Sequence, residues 1–165
     1  MNHVVRAVSA DEWHVLRSVR LQALADTPSA FGSTHAAEQQ FDEDRWRERA
    51  IGSATVRLFL AWVGDEAVGI AGCVDEGDGT AQLVSVWVRP DRRGRGVARA
   101  LTTAALDFAN DLGLSIIRLW VTEGNTSARR LYERLGFTPT GHQQPLPSDP
   151  ALREHELELT LHADA

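Results

Sequence analysis

Lysine is absent from this chain: all 17 basic residues are arginine. The Lys-Ser/Thr that closes a nucleotide phosphate loop is therefore missing. Cysteine is nearly absent. Cys73 stands alone, which excludes intramolecular disulfides and cysteine-based zinc sites. The six histidines, His3, His14, His35, His142, His155 and His162, include no close pair of the kind that holds a metal, so no metal is expected. No Gly-x-Ser-x-Gly elbow is present for a serine nucleophile. No apolar run has the length of a membrane span, and the start of the chain lacks the basic-then-apolar layout of a signal peptide, so a cytoplasmic protein is expected. Net charge is −6, which argues against nucleic acid as the main partner and leans toward a cationic one. Tyrosine occurs once, at Tyr132.

At 165 residues, 43% hydrophobic and 24% charged, the chain suits one globular domain, residues 1–165. No repeat or low-complexity tract divides it. Val4 to Val8 predicts a first strand. A helix carrying Trp13, Leu16, Val19 and Ala23 should follow and end near Thr27-Pro28. Pro28 to Glu38 reads as a loop or broken helix, and Asp42-Glu43-Asp44 as the acidic start of a second helix. Thr55–Val63 and Ala67–Val74 flank Gly64-Asp65-Glu66 as a hairpin, and Gly77-Asp78-Gly79 turns into a strand ending at Val88. Leu114 to Val121 predicts another strand. Pro145, Pro147 and Pro150 mark a late loop before an alternating last strand, Leu157 to Leu161.

Two stretches carry chemistry. In the first, Leu83 to Val88 is apolar on both faces and so central in a sheet. Val97, Leu101, Ala104, Ala105, Phe108 and Leu112 then fall on one helical face. Arg93-Gly94-Arg95-Gly96-Val97-Ala98-Arg99 thus occupies a strand-to-helix turn. The first-turn N–H groups there lack intrahelical partners and the helix dipole turns its positive end outward. Gly94 and Gly96 let a large anion come close to the backbone, and five arginines lie between Arg89 and Arg99. These features predict an anion site fit for a pyrophosphate. Two other readings stand beside it. One is a plain loop with solvated arginines. The other is an Arg-Gly nucleic-acid segment, which the short run without interleaved aromatics disfavours.

In the second stretch, Asn125 or Thr126 can cap a short helix, with Ala128, Leu131, Tyr132 and Leu135 as its buried stripe. Gly136 suits the left-handed residue that ends it, and Phe137 folds back onto it. The pattern Asn-x-x-Ala-x-x-Leu-Tyr-x-x-x-Gly-Phe resembles the last motif of the GCN5-related N-acetyltransferase superfamily. Arg93-Gly94-Arg95-Gly96-Val97-Ala98 resembles that family's Gln/Arg-x-x-Gly-x-Gly/Ala motif. Together they cover about Leu83 to Phe137 in the family's order and separation.

The resemblance implies an α/β (α+β) fold: a mixed, mostly antiparallel sheet of six or seven strands, splayed between the fourth and fifth, with about four helices. It implies acetyl-CoA as co-substrate. Backbone N–H groups from Arg93 to Arg99 would hold the pyrophosphate. Val86, Trp87 and Val88 would pair with the pantetheine arm, and a backbone N–H there would polarise the thioester carbonyl. Tyr132 would protonate the departing thiolate, with a rate that falls at alkaline pH as the phenol ionises near or above pH 9, roughly its reference range. The alternative for Tyr132 is a core residue whose hydroxyl bonds the backbone. Asn125 has two readings, a helix cap and a donor to the pantetheine arm.

The family's usual bases are missing. Gln82 and Trp120 stand where histone-type and N-terminus-directed members respectively carry a glutamate. Glu123 is close to the motif, with solvation as its alternative; a water chain, or capture of an already neutral amine, is the other route. His35 is a further base on the acceptor side, with solvation as its alternative. The acceptor pocket is expected between the first two helices, their loop and the late proline loop. Phe31 would be a wall or a core anchor, Glu38 would meet a cation, and Trp87 and Trp120 would be walls or sheet packing. The implied activity is transfer of acetyl from acetyl-CoA to a small-molecule primary amine. The rivals are a protein N-terminal or lysine acetyltransferase and a non-catalytic acetyl-CoA-binding module. A homodimer pairing through a Leu157–Leu161 edge is expected.

Overall fold

The apolar and alternating runs become seven strands of one sheet in a computed structural model that describes residues 2–161. β1 (Val4–Ala7) leads into α1 (Trp13–Asp26), α2 (His35–Gln39) and α3 (Glu43–Ile51). β2 (Val56–Val63), β3 (Glu66–Asp75) and β4 (Thr80–Val88) form the antiparallel meander. Then come α4 (Val97–Asp111), β5 (Ile116–Thr122), α5 (Thr126–Arg134), β6 (Thr138–Leu146) and β7 (Asp149–Thr160). The strand order is β1-β2-β3-β4-β5-β7-β6. No helix among the described residues is long and apolar enough to cross a membrane.

The splay is present. β4 and β5 pair in parallel only from Thr80–Ile116 to Gln82–Arg118, although β4 runs on to Val88 and β5 to Thr122. On its other edge β4 stays on β3, with one irregularity. Ile70 faces Trp87 and Gly72 faces Val84, so Ser85 and Val86 together oppose Ala71. Ser85 sits at φ 63, the single non-glycine residue with positive φ among those described. A bulge bends its strand and raises its twist, and this one lies where β4 leaves β5.

Each face of the sheet has its own core. Leu101 and Ala105 of α4 pack with Ile117, Leu119, Tyr132, Phe137 and Leu157. On the opposite face Leu16, Val19 and Leu24 of α1 pack with Phe31, Trp46, Leu60, Ile70 and Trp87.

Three expectations change. The predicted broken segment after Pro28 contains the short helix α2, so the α-helices number five among the described residues rather than about four. The late proline loop is strand: Pro145 lies in β6 and Pro150 in β7, and only Pro147-Ser148 forms the turn between them. Proline is tolerated in β6 because that strand is outermost and its missing N–H breaks no ladder on the open side. The last strand is correspondingly longer than Leu157–Leu161, and β5 and β6 fill both its edges. It offers no free edge for pairing with a second copy. Of the histidines, His162 lies outside the described residues.

Candidate active site

Where β4 and β5 part, a cleft of about 380 Å³ opens. Its walls come from β4 (Gln82 to Val86), β5 (Leu119 to Thr122), the Ala30–Ser33 loop, Tyr132 of α5, and Gln144, Pro147 and Glu154 of the last hairpin. The loop after α1 and the turn after β6 do meet here. The Ser148 hydroxyl donates to the Phe31 carbonyl, and the Thr122 hydroxyl donates to the Ser29 carbonyl at 2.6 Å.

Beyond Val88 the chain makes a single 3-10 turn and enters α4 through Gly94 (φ 75) and Gly96 (φ 83). A side chain at either position would strain the backbone, which is why glycine stands there. The Arg93 N–H is turned back onto the Pro90 carbonyl at 3.4 Å. From Gly94 to Arg99 the N–H groups have no acceptor among the described residues, and the helix ladder begins with the Ala100 N–H on the Gly96 carbonyl at 3.0 Å. Consecutive free N–H groups in a left-handed turn at a helix N-terminus make an anion cradle.

The arginines around it divide. Arg89 is paired with Asp91 and Glu66, and Arg92 lies 3.9 Å from Asp91. The Arg93 guanidinium bonds the Val88 carbonyl at 2.9 Å and Asp26 at 2.6 Å. Arg95 and Arg99 are exposed and have no carboxylate partner among the described residues. The positive charge available to a ligand is thus smaller than the run of arginines suggests. Asp26 also accepts the Trp87 indole N–H at 3.0 Å, which ties the end of α1 to β4 and leaves Trp87 as sheet packing rather than a cleft wall. Val88 is buried beside it, and Val86 reaches the cleft.

Tyr132 is 6% exposed and lies edge-on to Phe137, ring centres 5.7 Å apart. The end of α5 explains its placement: Gly136 takes φ 101, and the Phe137 N–H returns to the Tyr132 carbonyl at 3.0 Å. The phenol lines the cleft and has no hydrogen-bond partner among the described residues. No bond from it to the backbone is present among the described residues. Burial pushes its pKa well above the ordinary tyrosine range. Asn125 caps α5, its side-chain oxygen accepting the Ala128 N–H at 3.4 Å, and also lines the cleft.

On the acceptor side, Arg20 is the residue that sequence reasoning missed. It occupies the buried stripe of α1, between Val19 and Ala23, where an apolar side chain is the norm. Its guanidinium makes two bonds of 2.9 Å to Glu38, one of 3.0 Å to the Ser85 hydroxyl, and stacks 4.9 Å from the Phe31 ring. Glu38 also takes Arg49 at 2.9 Å. Burial drives the Glu38 carboxyl pKa up, but the hydrogen bonds and charges of Arg20 and Arg49 overcome this and hold it at about 2. Glu38 does meet cations, yet both come from the chain itself, and it does not line the cleft. Phe31 is both things proposed for it, 4% exposed in the α1-side core and a wall of the cleft.

Gln82 and Trp120 both line the cleft and neither can accept a proton from an amine. Glu123 lines an adjoining cleft at the start of α5, 3.8 Å from His155 and two-thirds exposed. His35 begins α2 and does not reach the walls. Glu154 was missed altogether. It sits in an alternation of Arg, Glu and His that reads as a solvated strand, yet it is buried in the cleft wall, where the Gln144 side chain of β6 bonds it.

A mixed sheet splayed over such a cleft, with a free N–H cradle at the next helix, defines an acyl-CoA N-acyltransferase fold. Solved structures agree on the architecture. A GNAT-family acetyltransferase from Streptococcus pneumoniae superposes with TM-score 0.80 over 98% of this chain and all of its own, at 16% identity. A Salmonella typhimurium structure holding acetyl-CoA gives 0.77 over 100% and 97%, at 21% identity. The sequence model of the acetyltransferase (GNAT) family matches residues 21–137, and the chain belongs to that family. Among curated relatives, mycothiol acetyltransferase of Geodermatophilus obscurus is 41% identical over 87 residues, which is 49% of this chain and 28% of that protein. That of Thermobispora bispora is 49% identical over 57 residues, covering 34% and 19%. The match thus spans well under a third of either relative.

Proposed function

We propose that the protein is an acetyl-CoA-dependent N-acetyltransferase that acts on a primary amine of a small molecule by direct attack in a ternary complex. The observation that carries the reading is Tyr132 in the wall of the cleft at the splay, buried and with no hydrogen bond to its hydroxyl among the described residues. A phenol kept protonated by burial is a proton donor waiting for an acceptor. The N–H groups of Gly94 to Arg99 bind the pyrophosphate, the Arg93 N–H being held by the Pro90 carbonyl, and Arg95 and Arg99 add charge. The open edge of β4 at Val86, Trp87 and Val88 pairs with the pantetheine arm. Asn125 keeps an amide N–H for that arm while its oxygen caps α5.

The chemistry then follows in order. The amine nitrogen attacks the thioester carbonyl carbon, and the carbonyl oxygen gains charge against a backbone N–H of the β4 bulge. The C–S bond breaks, Tyr132 gives its proton to the sulfur, and the nitrogen, which attacks as the neutral amine, passes one proton through water to solvent, from which the phenolate is reprotonated. A volume of about 380 Å³ lies in the range of small-ligand pockets, and relatives named for mycothiol favour a small-molecule acceptor. The test is thiol release from acetyl-CoA across a panel of small primary amines. Amine-dependent release is expected. A protein that binds acetyl-CoA yet releases no thiol above the amine-free rate is a binding module, and the reading fails.

A further inference from the structure

Of the side chains lining the cleft, two carry charge: Arg20 and Glu154. Arg20 spends its charge on Glu38 through two hydrogen bonds of 2.9 Å. Glu154 forms no ion pair among the described residues. It lies on β7 opposite Thr122 of β5 and Gln144 of β6, is 7% exposed, and accepts the Gln144 side-chain N–H at 2.6 Å through Oε1. Its Oε2 has no hydrogen-bond partner among the described residues, and it is not sealed from solvent.

A nearly buried carboxylate without a counter-ion is costly, and such groups are ordinarily paired. Here the missing partner has room to come from the cleft. Gln144 fixes one oxygen and leaves the other to an incoming donor. Trp120 and Phe31 stand in the same walls and offer apolar surface beside the charge. Gln82 on the β4 wall is neutral, so the negative charge in the cleft walls is that of Glu154 on β7.

We infer that Glu154, oriented by Gln144, is the recognition group of the acceptor site, and that it selects a cationic primary amine attached to an apolar or aromatic body. This rests on the amine reading above and deepens it. An ammonium gives Oε2 both a hydrogen bond and an opposite charge, whereas a hydroxyl of the same shape donates a hydrogen bond but leaves the carboxylate's charge uncompensated. The site therefore discriminates by charge at the nitrogen and by ring contact at the other end.

The probes are 2-phenylethylamine and 2-phenylethanol, titrated calorimetrically at neutral pH into the protein saturated with CoA. The wild type should bind the amine about 10- to 100-fold more tightly than the alcohol, the low end of what a close opposite charge contributes. Glu154→Gln keeps the side-chain size and an oxygen for Gln144, and it should bring that ratio close to one. Glu154→Asp keeps the charge and should restore part of it. Both variants should melt within a few degrees of the wild type. No amine preference in the wild type, or a preference that survives in Glu154→Gln, overturns the assignment. Binding needs no turnover, so the two readings fail separately. A wild type that prefers the amine but releases no thiol from acetyl-CoA defeats the transfer reaction and leaves the recognition site standing.

Discussion

Two side chains bear the most at the scale of the residue. Tyr132 should act through its hydroxyl alone, so Tyr132→Phe keeps the packing on Phe137 and removes the donor. General-acid assistance is worth about 10²–10⁴-fold, and kcat should fall by that order with acetyl-CoA affinity unchanged. The pH profile differs from the one the sequence suggests. Because burial raises the phenol well above its ordinary range, the rate should climb as the amine deprotonates and show no falling limb up to about pH 10, the reference value for tyrosine. A falling limb near pH 9 that vanishes in the phenylalanine variant would contradict this placement. Glu38 is the second. Its folded pKa of about 2 lies below the usual glutamate value near 4.3. The carboxylate therefore contributes stability above about pH 4.3, and that contribution drains away as pH falls toward 2. Linkage puts the amount at about 3 kcal/mol. Glu38→Gln strands Arg20 and should cost about 3–5 kcal/mol at pH 7, with less loss on acidification than the wild type shows. Urea unfolding at pH 7 and pH 3 reads both.

Elements come next in scale, and the turn into α4 and the bulge in β4 do what no single side chain does. The cradle from Gly94 to Arg99 exists because two left-handed residues swing successive N–H groups to one side. Gly96→Glu adds a side chain and a negative charge at that point. It should abolish acetyl-CoA binding by calorimetry and cost about 1–2 kcal/mol in backbone strain; unchanged affinity would show that the phosphate lies elsewhere. The bulge is held from behind. Arg20 of α1, braced by Glu38 of α2 and through it by Arg49 of α3, donates to the hydroxyl of Ser85 in its left-handed conformation. Three helices thus converge on the stretch of β4 whose backbone faces the cleft.

For the whole molecule, the splay sets what is accessible. β7 is interior, so pairing of two copies near the C-terminus falls to β6, the outer strand. The expected homodimer then buries Thr138–Leu146, and sedimentation at micromolar concentration should give twice 18.1 kDa. A single species at 18.1 kDa would exclude it. Pro139 and Pro145 withhold two N–H donors from that edge, which favours pairing through side chains over a continued sheet.

Local chemistry explains what was legible in the sequence. The strand-turn-helix around Gly94 and Gly96, the capped helix from Asn125 to Gly136, and the order of elements all follow from periods, caps and left-handed glycines, which act within a few residues. The splay itself came from the family resemblance, since three paired residues between β4 and β5 leave no mark on periodicity. Proline misled at Pro145 and Pro150 because its penalty depends on whether a neighbouring strand needs the missing N–H. The acceptor side was the least legible. Arg20 and Glu38 are far apart in sequence and are neutralised only when α1 and α2 meet, and Glu154 looks solvated until the fold sets it in the cleft wall. The sequence by itself determined the anion cradle of this protein, because backbone N–H groups and a helix terminus need only local residues to form. Tertiary structure alone decided which carboxylate is spent in the core and which is left facing the cleft, because burial and pairing are properties of what lies opposite.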